Sequence, residues 1–587
     1  MKKNVYEFVS KQTDPAKDGA GDPIVEWKNC TVSGQEFPIY QSDLEFYDKI
    51  SPVINEKKYS IPSPTLCPEE REARRFSRRN ESKLYRRTCN ASGKSIVSIY
   101  SEKSPYIVYD WKIWYSDQWN AMDYGRDYDF SKTFFENFDA LNTSVPKKSL
   151  HMVDSMENCH YCNYGIFSKS CYLVMWAAWS ENCLYSSCPG KSIYDVDSTF
   201  SFSCQYTYQC AHCTNCFECM YCDNSSGCKF SSFLSFCNNC TYCLWCVNLQ
   251  TAQYCILNKQ YTQEEYETVS KDILKDRNSI ATFKKKFEQL TREEPRSCVS
   301  NMGSENCLGN YILQSKNNIL CYLNIQSHDD KYCMAGWYGA SNVYDWYAYT
   351  WWGYSLEVSG FTWRKSAFIL TGEYNCNECY YCQHINACEY CFWCIGIKNK
   401  QYCIFNKQYT REEYETLVWK IITQMIQDKQ RWEYFPVILS TFCYNETVAQ
   451  DNRPLSKEDI LARWWRWQEE ELFVNIPEGM EKIQGKDLPT TIAEVEDDII
   501  HKVIVCEESG KPYRIVQQEL DFYRKHNIPL PTKHQDIRQA EVLKKRLPRW
   551  FHIIHCDKCK QETLSVYPQN SWLNVWCETC YNKEIYW

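Results

Sequence analysis

The sequence predicts a mixed, mainly β architecture in which duplicated end modules flank two cysteine-rich, β-solenoid-like repeats with connecting α-helices. Three observations predict it. The two chain ends repeat one another, two central stretches repeat one another at a different offset, and cysteine recurs every third residue through the central pair. Self-similarity of this kind outranks local propensity in assigning a fold.

The outer repeat opens with Cys30-x-x-Ser33-Gly34-x-x-Phe37-x-Ile39 and Asp43-Leu44-x-Phe46-Tyr47-x-Lys49. It returns as Cys506-x-x-Ser509-Gly510-x-x-Tyr513-x-Ile515 and Glu519-Leu520-x-Phe522-Tyr523-x-Lys525. Farther on, Ile61-Pro62-Ser63-Pro64-Thr65 matches Ile528-Pro529-Leu530-Pro531-Thr532. Cys67 falls on His534, Arg71 on Arg538 and Cys89 on Cys556, all at the offset of 467 that separates this last pair.

The inner repeat aligns Cys246-x8-Cys255-x2-Asn258-Lys-Gln-Tyr-Thr with Cys394-x8-Cys403-x2-Asn406-Lys-Gln-Tyr-Thr, and Glu157-Asn158-Cys159 with Glu305-Asn306-Cys307. A helix follows each copy. Thr262 with Glu265, and Thr410 with Glu413, have the spacing of capping boxes. Ser456 with Asp459 predicts another helix, expected to carry Trp464, Trp465 and Trp467.

These marks divide the chain. Residues 1–88 read as a treble-clef or ribbon-like module with a basic helix. Residues 89–150 read as a degenerate ribbon with an acidic, aromatic connector. Residues 151–296 and 297–435 are the two cysteine-rich units, each with its helix. A helical linker is expected over 436–500, and 501–587 form the last module.

That last module ends in Cys556-x2-Cys559 and Cys577-x2-Cys580. Two CxxC knuckles place four thiolates for a tetrahedron, the pattern of a closed structural zinc site. Thr563–Tyr567 and Leu573–Trp576 are expected to be its hairpin strands. In the N-terminal copy the four places hold Cys89, Ser92, Asp110 and Ile113. Ile113 cannot ligate, so no zinc is expected there, although the backbone can persist. Upstream, Cys30, Ser33, Cys67 and Glu70, and in the second copy Cys506, Ser509, His534 and Ile537, offer a weaker set. Cys30, Cys67, Cys506 and His534 are its plausible ligands.

The central cysteines, such as Cys210, Cys213, Cys216, Cys219 and Cys222, or Cys388, Cys391 and Cys394, repeat with a period that fits neither a straight strand nor a helix face. Very short strands with frequent corners would produce it. Inward cysteines could then be small core fillers, or CxxC pairs of adjacent coils could bind zinc or an iron–sulfur cluster. Disulfides are a third reading. Val358, Phe361 and Leu370 replace Cys210, Cys213 and Cys222 in the second copy, as core filling would allow. His160, His212 and His384 lie among the cysteines and could ligate.

The chain of 587 residues holds 37 cysteines, 16% aromatic residues and a net charge of −8. The N-terminal stretch lacks the apolar core of a signal peptide, and no apolar run approaches a membrane span. The expected setting is a reducing cytoplasm, with no membrane partner. Against the acidic total, residues 71–87 concentrate Arg71, Arg74, Arg75, Arg78, Arg79, Lys83, Arg86 and Arg87. Arg71, Arg74, Arg75 and Arg78 fall on one face of a helix opened by Pro68. Such a face can grip the phosphates of structured RNA, or pair with the protein's own acids. Residues 110–130, rich in Asp and Trp, are a candidate source of those acids.

Beyond these readings, Ser33-Gly34, Asp43-Leu44-x-Phe46-Tyr47, Pro64-Thr-Leu-Cys67-Pro68 and Arg79-Asn80 resemble a family of cysteine- and tyrosine-rich, zinc-ribbon-terminated proteins. These are proteins of uncultivated candidate-phyla bacteria with very small genomes. Ser116-Asp117-x-Trp119, Asp123–Phe130, Asn406-Lys-Gln-Tyr409 and the closing ribbon extend the likeness over nearly the whole chain. The resemblance implies architecture and a cytoplasmic bacterial setting, and no reaction. Relatives often carry a second cysteine where Glu70 stands.

The function expected from the sequence is a zinc-binding scaffold that binds RNA or a ribonucleoprotein through Arg71–Arg87, with Arg71, Arg74, Arg75, Arg78 and Arg79 as its leading contacts. A protein–protein assembly scaffold, or a metal- or redox-dependent enzyme using the cysteine-rich units, are the alternatives. No GxSxG, HExxH, phosphate loop or dinucleotide motif is present, which points away from an enzyme.

Overall fold

The computed structural model describes residues 2–12, 21–152, 155–274, 276–336, 339–347, 353–360, 365–370, 375–430, 432–469 and 479–586. The fold is mixed α/β, with many small sheets. None of its described helices is long and apolar enough to cross a membrane.

The central units are built three residues at a time. Glu157 bridges Lys169 in parallel, Lys169 bridges Glu181, and Glu181 bridges Ile193, so the chain returns to the same side every twelve residues. Where sides lengthen, they become the parallel strands Ile193–Val196, Gln205–Tyr208, Phe217–Met220, Lys229–Ser235 and Leu244–Val247 of one sheet. The second unit stacks likewise, with an eleven-residue turn at Leu308↔Ile319 and a thirteen-residue one at Lys331↔Tyr344.

Each side has a fixed grammar. Its first residue is extended and donates to the next coil, as Lys169 N–H does to Ser180 O (2.9 Å). Its second residue turns the corner with positive φ, as at Ser170 (52°), Leu173 (52°) and Tyr185 (50°). That residue donates back to the previous coil, as Ser170 N–H does to Glu157 O (2.9 Å). The left-handed conformation costs a non-glycine residue about 1–2 kcal/mol. The paired backbone, and ring stacking between corners such as Phe233 and Trp245 (3.6 Å), offset that cost.

The third residue points inward, and this position explains the cysteines. Its N–H also faces the core, where an unpaired donor would be costly. The inward side chain one coil earlier accepts it: Cys210 N–H donates to Ser198 Oγ (3.1 Å), Cys237 N–H to Ser225 Oγ (3.1 Å) and Cys394 N–H to Cys382 Sγ (3.5 Å). Inward Ser and Cys in turn donate to carbonyls two residues back and nine ahead. Ser186 Oγ does so to Leu184 O and Asp195 O, and Cys210 Sγ to Tyr208 O and Cys219 O. A small side chain that both fills and hydrogen-bonds is therefore favoured at these places, while Leu234 and Val358 fill others by volume alone. The interior of the first unit is a column of buried thiols from Cys204 to Cys255, and all 37 cysteines are free thiols. Val358 is buried among the inward cysteines. Leu370 is buried in a different cluster, and Ile369 takes the inward place beside it. Phe361 lies outside the described residues.

Both ends of each unit are covered, which protects the sheet edges. At the C-terminal ends, Asn258 and Asn406 close the last coil, with Asn258 Oδ1 accepting Val247 N–H and Asn406 Oδ1 accepting Ile395 N–H. The helices Gln263–Leu274 and Arg411–Gln427 follow, opened by Thr262–Glu265 and Thr410–Glu413 as the capping boxes require. A further helix, Lys457–Ala462, starts at Ser456 as expected but does not carry the tryptophans. Trp464 takes φ +61°, which breaks the helix before it reaches them. Over 436–500 the expected linker is only partly helical: the described residues form short helices, single 3-10 turns and the strand Lys482–Gln484, which pairs in parallel with Val503–Val505.

At the N-terminal ends, the two end modules provide the covers. Strand Val108–Tyr109 of the first module pairs in parallel with Lys147–Lys148, ahead of the first unit. Strand Val575–Trp576 of the last module pairs in parallel with Arg296–Ser297, ahead of the second. The hydrogen bonds correspond one to one. Lys147 and Ser149 donate to Ile107 O and Tyr109 O, and Arg296 and Cys298 donate to Asn574 O and Trp576 O.

Candidate metal centre and the buried arginines

The hairpin of the last module is His552–His555 against Glu562–Ser565, with the Cys556–Cys559 knuckle as its turn. This corrects the sequence expectation: Leu573–Trp576 has strand composition, but its partner is the distant Arg296–Ser297 rather than Thr563–Tyr567. The second knuckle opens the helix Glu578–Ile585, with Cys577 at its N-cap.

The ligand atoms of Cys556, Cys559, Cys577 and Cys580 all lie within 4.8 Å of one another. Among the described residues this is the only set of three or more His, Cys, Asp or Glu side chains so placed. Cys559 Sγ stands 3.8 Å from Cys577 Sγ. Cys556 Sγ accepts the N–H of Cys577 (3.2 Å) and of Cys559 (3.5 Å). Burial raises the Cys556 thiol, but these backbone donors outweigh it and bring the pKa down to about 6. A thiol so poised gives up its proton readily to a cation. Four sulfur donors with no protein-free position suit a structural metal.

The N-terminal twin keeps the backbone and lacks the donors. Asp110 N–H donates to Cys89 Sγ (3.2 Å), as Cys577 N–H does to Cys556 Sγ. Asn90 Oδ1 accepts Val108 N–H, as Asp557 Oδ2 accepts Val575 N–H. Ser92, Asp110 and Ile113 complete no ligand set.

The weaker candidates are not gathered either. Ser33 Oγ lies 3.7 Å from the buried Cys67 Sγ beside Cys30, but Glu70 faces Arg453 (3.7 Å). In the second copy His534 Nδ1 accepts Asp536 N–H (3.2 Å), so it caps a helix next to Cys506. His212 is clamped between Phe200 (4.9 Å) and Tyr311 (3.8 Å). His384 packs on His151 and Trp114, and His160 is exposed.

The basic face is inside the protein. Pro68 opens the helix Pro68–Phe76 as expected. Arg71 Nε donates to Asp345 Oδ2 (2.9 Å) and Arg75 to Asp345 Oδ1 (3.2 Å), with all three side chains at most 3% exposed. Arg74 meets Tyr434 O (3.1 Å) and Glu433 (3.5 Å), and Arg78 donates to the carbonyls of Pro436 and Leu439. Arg79 pairs with Glu81 and lies 3.9 Å over Tyr164 and 4.3 Å over Trp176. Lys83 and Arg86 of the expected surface are exposed, while Arg71, Arg75, Arg78 and Arg79 are buried and Arg74 is half-buried. Their acids come from Asp345, Glu433 and Glu81, not from residues 110–130. Ion pairs offset the burial of Arg71, Arg75 and Arg79, and backbone carbonyls that of Arg78.

The twin arginine repeats the arrangement on the other unit. Arg538 Nε pairs with Asp197 Oδ2 (3.1 Å) and its guanidinium also meets Glu519. Asp197 and Asp345 are themselves inner-repeat equivalents. Each end module thus covers one unit with a short parallel strand and docks its arginine helix on the other. Sequence reading misses Asp197 and Asp345. The usable signal is that the two acids stand at the inner-repeat offset, as the two arginines stand at the outer one.

Comparison with protein-family models, with curated proteins and with solved structures finds no match to this chain.

Proposed function

We propose that the chain is a zinc-stabilised binding scaffold without catalytic chemistry, whose stacked turns form two β-solenoids clamped by zinc-ribbon-like modules. The carrying observation is the gathered four-cysteine set, seated in the strand pairing that starts the second unit. Four thiolates favour zinc over oxygen-preferring cations. The inner thiols are occupied with backbone carbonyls and amides, which supports a core role for them rather than a redox one. The free thiols support a reducing, cytoplasmic setting, in keeping with the bacterial family the chain resembles. Protein is favoured over RNA as the partner, because Arg71, Arg75, Arg78 and Arg79, four of the arginines expected to hold phosphate, are buried. Elemental analysis of the purified, reduced chain tests the reading. About one zinc per chain and no iron is expected from one such site; stoichiometric iron, or no metal, would contradict it.

A further inference from the structure

A cleft of about 620 Å³ opens between the last module and the first unit, lined among others by Arg86, Tyr172, Leu173, Tyr185, His501 and Arg514. Its pseudo-symmetric counterpart lies between the first module and the second unit, and the two can be matched residue by residue. Arg538 lies 5.1 Å over Tyr185, and Arg71 lies 5.3 Å over Tyr332. Leu173 and Leu320 turn corresponding corners, both at φ 52°. Tyr513 and Ile515 in the cleft correspond to Phe37 and Ile39. Arg86, on the first ribbon hairpin, corresponds to Ile553 on the second.

The counterpart groove is filled by the chain's own helix Lys3–Gln12. Val5, Tyr6 and Val9 are at most 1% exposed, packed with Phe37, Ile39, Leu320, Tyr332 and Ile554 in one core cluster. Tyr40 Oη donates to Tyr6 O (3.0 Å), and Lys3 pairs with Glu36 at the rim (3.4 Å).

In the open cleft the rim charge is reversed. Pro512 stands where Glu36 stands, Arg86 and Arg514 are exposed, and no carboxylate lines the cleft among the described residues. We propose that this cleft docks an acidic, amphipathic helix of about three turns from a partner protein, in the place its counterpart gives to helix Lys3–Gln12. Its apolar residues would follow the Val5–Tyr6–Val9 spacing, with acidic residues where Lys3 and Lys11 stand. This deepens the proposed scaffold role and rests on it.

The test uses the full metal-loaded chain and a fluorescein-labelled peptide of the Lys3–Gln12 sequence carrying K3E and K11E. Fluorescence anisotropy is expected to show saturable binding, weakened by at least about tenfold in R86E/R514E and to a lesser degree in R86Q/R514Q. A peptide that also carries Y6G should not bind. No saturable binding, or an affinity unchanged in R86E/R514E, overturns the proposal. Binding of a labelled ten-nucleotide RNA that R86E/R514E abolishes and the peptide does not displace would assign the cleft to nucleic acid, and also overturns it. Metal content, measured on the same samples, reports separately on the zinc scaffold.

Discussion

Arg71 and Asp345 lie 274 residues apart in sequence and meet at 2.9 Å in the core, and Arg538 and Asp197 repeat the contact at 3.1 Å. The two pairs join each end module to the unit that its own short strand does not cover. The chain is thereby a crossed pair of like halves, and the contacts that hold the crossing are ionic and buried.

Breaking one such pair leaves an uncompensated charge in the core. Asp345→Ala is expected to destabilise the protein by about 3–5 kcal/mol, since it strands both Arg71 and Arg75. Arg71→Met/Asp345→Leu should cost less than the sum of the single changes. Urea denaturation of the singles and the double checks this; additive losses would show that the pair is not coupled.

The metal set and its twin predict opposite outcomes for one chemical change. Cys559→Ser removes a ligand and is expected to release the metal and cost several kcal/mol. Cys89→Ser keeps an acceptor for Asp110 N–H and should cost less than about 1 kcal/mol. Metal content and thermal melting of both variants compare them directly.

An inward cysteine that accepts an N–H from the next coil is expected to tolerate serine and not carbon. Cys382 Sγ accepts Cys394 N–H, so Cys382→Ser should be nearly neutral. Cys382→Val should cost about 1–3 kcal/mol by leaving that donor unpaired in the core. Equal losses in the two variants would mean that the site is read by volume alone.

A pH dependence follows from Asp330, buried in the second unit, which accepts Val343 N–H (3.1 Å) and Asn324 Nδ2–H (3.3 Å). Burial pushes its pKa up to about 8. The folded state therefore holds this proton more tightly than the unfolded chain, whose carboxyl titrates near its ordinary value. Stability contributed by the protonated form is complete below the unfolded pKa and is lost as pH rises toward about 8. Each tenfold difference in proton affinity between the folded and unfolded chain is worth about 1.4 kcal/mol, so the loss amounts to a few kcal/mol. Asp330→Asn should flatten the decline between about pH 5 and 8, which denaturation at several pH values would reveal.

Much of this is legible in the sequence. The repeats, the capping boxes, the metal quartet and the missing ligands of its twin all stand in local residue patterns. The period of three points to short sides and corners, but not to the reason, which is an inward N–H that needs an inward acceptor. Sequence alone misplaces the ribbon hairpin because Leu573–Trp576 looks like a strand whichever partner it takes. The arginine face is legible as a helix and not as a core, because its acids lie hundreds of residues away on the opposite unit. Which module meets which unit is set by the path of the chain between distant elements, and no local pattern carries it.

The central claim is that one metal site clamps the start of the second unit while its twin does the same work without metal. Hydrogen exchange of the full chain, with metal bound and after chelation, tests it most directly. The account predicts that chelation exposes the amides of Arg296, Cys298 and Val566, which bond across the ribbon junction, and spares Lys147, Ser149 and Ile99, which bond across its twin. Equal loss at both junctions, or protection at Arg296 and Cys298 that survives metal removal, would contradict it.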